Sequence, residues 1–311
     1  MRVFVAGATG VIGRRLVPML IGEGHAVTAM TRTPGKTGEL AAQGAEPVVV
    51  DALDSAAVTA ALTAARPDAV IHQMTALPAR IDPRRIERDF VLNDRLRSEG
   101  TRILVDAARS AGAGLILAQS IAFAYAPGPP GTVHAEGDPI ETGAGTAFER
   151  SAAALLDLER TVLGADGTVL RYGYFYGAGT AISSSGSMGQ DVRRRRMPLV
   201  GRGTGVWSFI HVQDAARATA MALSGGHRGT YNVVDDEPAP VSSWLPALAK
   251  AIGAPKPRRV PTLIARLAAG EYGVATMTRI QGASNALARR TLGWEPEHPS
   301  WRRGFLDALD G

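Results

Sequence analysis

A short apolar run that leads into three closely spaced glycines constrains the fold of this chain more than any other feature. Residues 3–5 (Val-Phe-Val) predict a buried strand, residues 7–13 (Gly-Ala-Thr-Gly-Val-Ile-Gly) a tight turn, and residues 14–23 an amphipathic helix. Glycines let the backbone approach a phosphate closely, and the start of a helix offers free N–H groups and the positive end of the helix dipole. The stretch therefore predicts a site for a dinucleotide pyrophosphate, contacted by Gly7, Thr9, Gly10, Val11, Ile12 and Gly13.

The composition narrows the class of protein. The 311 residues are 45% hydrophobic and 20% charged, which is typical of a soluble globular protein, and the absence of cysteine excludes disulfides, thiolate zinc sites and cysteine nucleophiles. No apolar run reaches the length of a membrane span, and a strand follows Met1 with no room for a signal peptide, so we expect a cytoplasmic protein without a membrane partner. No group of His, Asp and Glu has metal-ligand spacing, so no metal is predicted.

The formal net charge of +5 does not indicate a nucleic-acid partner. Basic residues are scattered along the chain, and few aromatic residues lie among them to stack on bases. We therefore expect a small-molecule substrate and no nucleic acid.

Strands alternate with helices over the first half of the chain. After the first strand, further strands are predicted at 26–30, 47–50, 69–72, 114–118 and 167–171, with long helices at 84–111 and 147–163. This rhythm predicts an α/β fold, a doubly wound parallel Rossmann sheet with helices on both faces. Beyond residue 175, prolines and short helices predict a smaller, mostly helical C-terminal substrate lobe. The predicted division assigns 1–174 and 205–235 to the Rossmann domain, and 175–204 and 236–311 to the lobe.

The residues after the second strand favour NADP(H) over NAD(H). An acidic residue there would bind the adenosine ribose and repel a 2′-phosphate, but none occurs between Val27 and Gly38. Arg32 can form paired hydrogen bonds with a 2′-phosphate; if it is only a solvated loop residue, NAD(H) is the alternative. After the third strand, adenine contacts are predicted for Asp51, Ala52 and Leu53, whereas Asp54 can also be a helix N-cap. After the fourth strand, Gln73 and Thr75 are predicted to line the cofactor trough.

Motifs of one family run from one end of the chain to the other. They are residues 7–13, 51–54, 68–72, 99–101, 170–177, 209–214, 231–233 and 292–296. On these motifs the chain resembles the extended short-chain dehydrogenase/reductases, in the NAD(P)-dependent epimerase/dehydratase group. The resemblance implies a backbone that passes the nicotinamide ring after the sixth strand, where Tyr172 and Phe175 are expected cofactor contacts. It also implies a homodimer formed through alanine-rich faces of the helices at 84–111 and 147–163.

The usual catalytic residues of that family are incomplete in this chain. Members generally use a serine on the fifth strand and a Tyr-x-x-x-Lys pair on the next helix, in which the lysine lowers the pKa of the tyrosine. Ser120 matches the serine, but Phe148 and Ala152 stand where the tyrosine and lysine are expected. The chain has no lysine between Lys36 and Lys250 that could substitute.

Two hypotheses follow from the missing pair. In the first, an enzyme uses other acid/base groups, with Ser120, Tyr125 and Tyr174 as candidate catalytic residues. A tyrosine with an ordinary pKa of about 10 is a poor base but can donate a proton, which favours reduction of a polarised carbonyl or alkene; each tyrosine can equally be a packing residue. In the second, the chain is a redox-inactive NADP(H) sensor or a non-redox cyclase or dehydratase. The extensive substrate lobe favours an enzyme.

Overall fold

A seven-stranded parallel sheet forms the centre of the structure, a computed structural model that describes residues 1–129 and 131–307. The strands are β1 Arg2–Ala6, β2 Ala26–Thr31, β3 Glu46–Val49, β4 Ala69–His72, β5 Leu115–Ile121, β6 Val133–His134, β7 Thr168–Tyr172, β8 Tyr174–Tyr176, β9 Leu199–Val200, β10 Val206–Trp207, β11 Phe209–His211, β12 Gly229–Val233, β13 Ala239–Pro240, β14 Arg259–Val260 and β15 Gly282–Ala283. The helices are α1 Gly13–Gly22, α2 Thr37–Ala42, α3 Ser55–Ala65, α4 Ile86–Asp89, α5 Val91–Arg95, α6 Thr101–Ser110, α7 Glu149–Leu163, α8 Ser187–Arg193, α9 Val212–Ser224, α10 Val241–Ala251, α11 Thr262–Thr278, α12 Ala286–Leu292 and α13 Trp301–Asp307. Within the described ranges, no helix combines the length and apolar character needed to cross a membrane.

The order of the large sheet confirms the predicted doubly wound α/β fold. The sheet runs β12-β7-β5-β4-β1-β2-β3, and every neighbouring pair is parallel. One apolar core packs α1 and α9 on one face, and a second packs α3, α6 and α7 on the other. The chain leaves β1 toward β2 on one side and later returns to β4 on the other. The carboxyl ends of β1 and β4 thus flank the point where strand order reverses, where open sheets of this kind bind ligands.

The long helix predicted at 84–111 is broken in the structure. It consists of α4, α5, a π-helical segment at Leu96–Gly100 and α6. A π-helical segment widens the turn by one residue and is frequent at functional sites. The break changes which side chains face α7, because α5 and the π segment both pack against that helix.

The substrate lobe has its own aromatic core, and that core crosses the predicted boundaries. Trp207 and Phe209, assigned from sequence to the Rossmann domain, pack in the lobe against Trp244 and Trp301. Trp294, assigned to the lobe, packs into the Rossmann core, where its indole N–H donates to the Asp214 carbonyl. These contacts cross the predicted boundaries because apolar contact, not chain order, decides which core a strand or helix joins. The division into two domains stays a prediction.

The alanines expected at a dimer interface are mostly interior. Ala107, Ala108, Ala152 and Ala154 are buried within a single chain, whereas Ala111 is half-buried and Ala153 is exposed. Small side chains at these positions let α6 and α7 pack closely against the sheet and against each other. The homodimer expected through these two helices stays a prediction.

His72 supports the carboxyl end of β4 as a neutral side chain. Its Nδ1 accepts a hydrogen bond from the Met74 N–H at 3.2 Å, and its Nε2 lies 3.0 Å from the Thr101 hydroxyl. Burial lowers the pKa of His72 to about 4. The ring therefore stays uncharged at neutral pH and holds the turn after β4.

We predict that the free energy of unfolding decreases between pH 7 and pH 5, with His72 contributing about 2 kcal/mol of the decrease. The pKa in the folded chain lies below the unfolded value of about 6.5, so the unfolded chain takes up the proton first as the pH falls. Urea unfolding of the wild type and His72→Gln at both pH values measures the effect. If the free energy of unfolding decreases by the same amount in the wild type and in His72→Gln, the prediction is contradicted.

Candidate active site

The glycine turn after β1 is built by close contact between backbones. Gly7 has φ of 92°, and the Gly10 N–H donates to its carbonyl at 3.0 Å. A Cβ on Gly7 would lie 2.6 Å from the carbonyl carbon and oxygen of Gln73, and one on Gly13 would lie 2.4 Å from the carbonyl oxygens of Gly7 and Ala8. Only glycine fits at these two positions. The turn leads directly into α1 and leaves Gly10 exposed, so it fits a dinucleotide pyrophosphate at the helix N-terminus.

The side chains predicted to hold the adenosine end lie on the surface beside this turn. Arg32 follows β2, is exposed, and makes no hydrogen bond or ion pair with the described residues. Asp51 is exposed and accepts a hydrogen bond from the Leu53 N–H at 3.0 Å, whereas Ala52 is buried beneath them. The Asp54 carboxylate accepts from the Ala57 N–H at 3.0 Å and caps α3, which confirms the N-cap alternative.

Gln73 connects the end of β4 to the core below it. Its Nε2 donates to the Tyr172 hydroxyl at 3.4 Å, whereas its buried Oε1 has no hydrogen-bond partner among the described residues. Tyr172 also bonds to the Thr219 hydroxyl at 2.7 Å, and burial raises the pKa of Tyr172 to about 12. The phenol of Tyr172 therefore lies in the core and supports Gln73 instead of facing the surface. Thr75 is exposed, and the Phe175 ring lies 5.5 Å from that of Tyr172.

Ser120 and Tyr125, two of the three predicted catalytic residues, belong to one buried polar network. The Ser120 hydroxyl donates to Glu159 at 2.6 Å, and Arg171 binds both oxygens of that carboxylate, at 2.9 and 2.6 Å. Arg171 also donates to the Tyr125 hydroxyl, which in turn donates to Asn232 at 2.6 Å. Burial raises the pKa of Tyr125. These contacts favour a structural role for both hydroxyls, which face α7 and β12 and not an open cleft.

Tyr174, the third predicted catalytic residue, is held between two aromatic rings. Its ring stacks on Phe123 at 4.0 Å and on Trp207 at 3.8 Å. Its hydroxyl makes no hydrogen bond with the described residues, and burial raises the pKa of Tyr174 well above its usual value, with a further contribution from Tyr272. Tyr272, on α11, also lies against Phe148, with ring centroids 5.5 Å apart. Aromatic residues are only 5% of the chain, yet these five line the boundary between sheet and lobe.

The positions of the expected tyrosine and lysine offer no acid or base. Phe148 is the N-cap residue of α7, and Ala152 is fully buried. On the neighbouring helix, Asp94 accepts hydrogen bonds from Arg150 at 2.9 Å and from Ser151 at 3.0 Å, and its second oxygen is buried without a partner.

Sequence patterns did not point to Arg97, which is buried in the π-helical segment. A signal was present, because Arg97 lies seven residues after Phe90 and seven before Leu104, on the apolar stripe of the predicted helix. A charged residue on such a stripe is unusual enough to mark a site. Tyr272, in the predicted substrate lobe, was not singled out from the sequence either.

One group of His and Asp side chains among the described residues is close enough to hold a metal ion: His211, Asp214 and His298. The buried Asp214 carboxylate already accepts from the N–H groups of Glu297 and His298, each at 2.9 Å, from the His298 ring at 3.0 Å and from Arg217 at 3.1 Å. Its oxygens are fully engaged in holding the C-terminal segment to α9. We assign no metal to this group.

The comparisons with known proteins agree with this geometry. Over 98% of its length and 99% of the relative's, the chain is 46% identical to a Streptomyces protein named 3-diazoavenalumate denitrifying reductase. Two solved structures share the fold, each with a TM-score of 0.75. Thermus thermophilus UDP-glucose 4-epimerase with NAD is 24% identical, and the match covers 100% of this chain and 98% of that one. Human epimerase family protein SDR39U1 with NADPH is 20% identical, and the match covers 100% of both chains. Residues 3–233 match the model of the NAD dependent epimerase/dehydratase family. The chain therefore belongs to this family of NAD(P)-dependent enzymes, as an oxidoreductase or epimerase-like member that acts on a small molecule.

Proposed function

We propose that this enzyme is an NADP(H)-dependent reductase that replaces the diazonium group of an aromatic acid with hydrogen and releases N2. The observation that carries the proposal is the pair Phe148 and Ala152, which leaves no proton donor where the family usually has one. The name of the 46% identical relative supports the substrate class, because it specifies a diazo group, an acid anion and reductive removal of nitrogen.

The chemistry explains why the missing pair is tolerated. Reduction of a carbonyl produces an alkoxide that must be protonated, which is the task of a general acid. Bound reduced nicotinamide supplies a hydride, and an arene diazonium plus hydride gives the arene plus N2. Nitrogen leaves as a neutral molecule and takes no proton, so this reaction needs neither the tyrosine nor the lysine.

The aromatic boundary between sheet and lobe suits a planar substrate. Phe123, Tyr174 and Trp207 form one stack, and Phe148 and Tyr272 form a second pair. Stacked rings bind an aromatic ligand through dispersion and offset packing, and they exclude water from the reacting atoms. Water exclusion matters here because a diazonium group is hydrolysed readily. In this proposal Ser120 and Tyr125 position β5 and β7, and neither transfers a proton.

Specific side chains are assigned to the cofactor under the same proposal. The turn at 7–13 binds the pyrophosphate, Arg32 the 2′-phosphate, and Asp51 with Leu53 the adenine. The unpartnered Oε1 of Gln73, with Thr75, faces the nicotinamide ribose. The homodimer and the cytoplasmic location remain predictions.

Tyr174 supports a second candidate function. Its hydroxyl has no protein partner among the described residues and stays protonated at neutral pH, so it can donate a proton to a reduced carbonyl or alkene. The two candidates differ in whether this hydroxyl is needed.

The test is to incubate the enzyme and NADPH with 15N-labelled 3-diazoavenalumate and with a panel of carbonyl compounds. We expect one labelled N2 released per NADPH oxidised, and a rate within about threefold of wild type for Tyr174→Phe, because ring stacking is retained. Reduction of carbonyl compounds alone, lost in Tyr174→Phe, would favour the second candidate. No NADPH oxidation with any compound would identify a redox-inactive binding protein.

Replacing Arg32 should change which cofactor is preferred. We expect Arg32→Ala to weaken NADPH binding by about tenfold or more, because a charge-assisted pair with the 2′-phosphate is lost. Binding of NADH, which lacks that phosphate, should change by less than about twofold and is the internal control. Calorimetric titration with NADPH and NADH measures the ratio of the two affinities. If this ratio is the same in the wild type and in Arg32→Ala, Arg32 is only a solvated loop residue.

Gly13→Ala should abolish cofactor binding, because the added Cβ would lie 2.4 Å from two carbonyl oxygens of the turn. Gly22→Ala, in the last turn of the same helix, is the matched control, since its Cβ would meet open space. We expect the control to bind NADPH normally and to gain a few tenths of a kcal/mol in stability. Comparable binding by both variants would refute the assignment of the turn.

A further inference from the structure

Arg97 is a buried cation that has no hydrogen-bond or ion-pair partner in the part of the chain that the structure describes. It lies in the π-helical segment between α5 and α6, and only 7% of its surface is exposed. Its guanidinium group makes no hydrogen bond and no ion pair within 4.0 Å with any described residue. Burying an unpaired charge is costly, so proteins retain one when something else provides the counter-charge.

No carboxylate among the described residues forms an ion pair with Arg97. Asp94 and Glu159 both act on it electrostatically. However, Asp94 binds Arg150 and Ser151 through one oxygen while its other oxygen makes no hydrogen bond with the described residues, and Glu159 is bound on both oxygens by Arg171. Burial lowers the pKa of Arg97, but a guanidinium group remains protonated at neutral pH. A positive charge is thus left over at the end of α5.

The neighbours of this charge locate it at the substrate side of the site. Tyr272, on α11 of the lobe, acts electrostatically on both Arg97 and Tyr174. The π segment packs against α7, the helix that carries Phe148 and Ala152. Next to it, the Nδ2 group of Asn93 is a further buried donor with no partner among the described residues. Two unused donors therefore accompany the aromatic rings.

We propose that Arg97 binds an anionic oxygen group of the aromatic substrate, with Asn93 as a second donor. The proposal rests on the proposed function and extends it by naming the residue that selects an acidic substrate. A guanidinium group binds a carboxylate through two parallel hydrogen bonds and also binds a single phenolate oxygen. Both are oxygen anions on the same ligand, and the experiment separates them.

Binding of unreactive aromatic probes tests the proposal. Cinnamate carries a carboxylate only, methyl 4-hydroxy-3-nitrocinnamate at pH 8 carries a phenolate only, and methyl cinnamate carries neither. We expect the wild type with NADP+ to prefer at least one anionic probe over methyl cinnamate. Arg97→Met should lower the affinity for that anionic probe by about tenfold to a hundredfold, and the affinity for methyl cinnamate by less than threefold. The anionic probe whose affinity falls identifies the group that Arg97 binds.

Three variants separate binding from a structural role. Arg97→Lys should recover part of the affinity for the anion, because the charge is kept. Arg95→Met, at the exposed last residue of α5, should bind the probes as the wild type does. Thermal unfolding of Arg97→Met should occur at the wild-type temperature or above it, because an unpaired buried charge has been removed.

The proposal is overturned if the wild type does not distinguish anionic from neutral probes. It is also overturned if Arg97→Met weakens all probes equally and unfolds at a lower temperature, which would show a structural role. These probes are not reduced, so the outcome is independent of the reaction. Anion selectivity that depends on Arg97, in an enzyme that releases no N2 from diazo compounds, would refute the proposed function and retain this inference.

Discussion

The contact between two backbone segments, the turn after β1 and the end of β4, is the constraint on which the rest of the site depends. Gly7 approaches Gln73 so closely that no side chain fits between them. The contact brings α1, whose N-terminus we assign to the pyrophosphate, next to the strand end that is followed by Gln73 and Thr75. His72, in its neutral form, holds that strand end from below by its bonds to Met74 and Thr101. The phosphate end and the reactive end of the site are thus fixed relative to each other by main-chain packing.

A second level of organisation is a polar network beneath the carboxyl ends of β5 and β7. Glu159, Arg171, Tyr125 and Asn232 connect α7, β7, the loop after β5 and β12 in a continuous series of hydrogen bonds. A fully satisfied buried network gives strands a single arrangement, whereas an apolar core of the same volume tolerates several. Ser120 adds its hydroxyl to this network. This serine matches the catalytic serine of the family in sequence, and we propose that in this chain it supports the sheet.

The sequence predicted the parallel sheet well because periodicity and glycine spacing are local signals. Five strands after β1 were located to within a few residues, and the glycine turn lies between a strand and a helix as predicted. Which way a side chain points is not local. Tyr125 lies shortly after β5 and Tyr172 is the last residue of β7, where catalytic or cofactor residues are often found. Their hydroxyls are nevertheless bound by Arg171 and Thr219, which are distant in the chain. Trp294 lies in the segment predicted to belong to the lobe but packs into the Rossmann core, because its contacts are also with residues distant in the chain.

The π-helical segment at Leu96–Gly100 has a consequence for how such a site arises. Each residue of an α-helix turns the chain by about 100°, so one inserted residue, absorbed as a wide turn, rotates everything on one side of it relative to the other. The apolar face of α6 remains on the sheet while the preceding helix presents a different set of side chains to α7. A single insertion can therefore bring a cation into a buried cleft without disturbing either core. The reactive chemistry of a fold can change in this way while its strands, turns and cofactor contacts stay as they were.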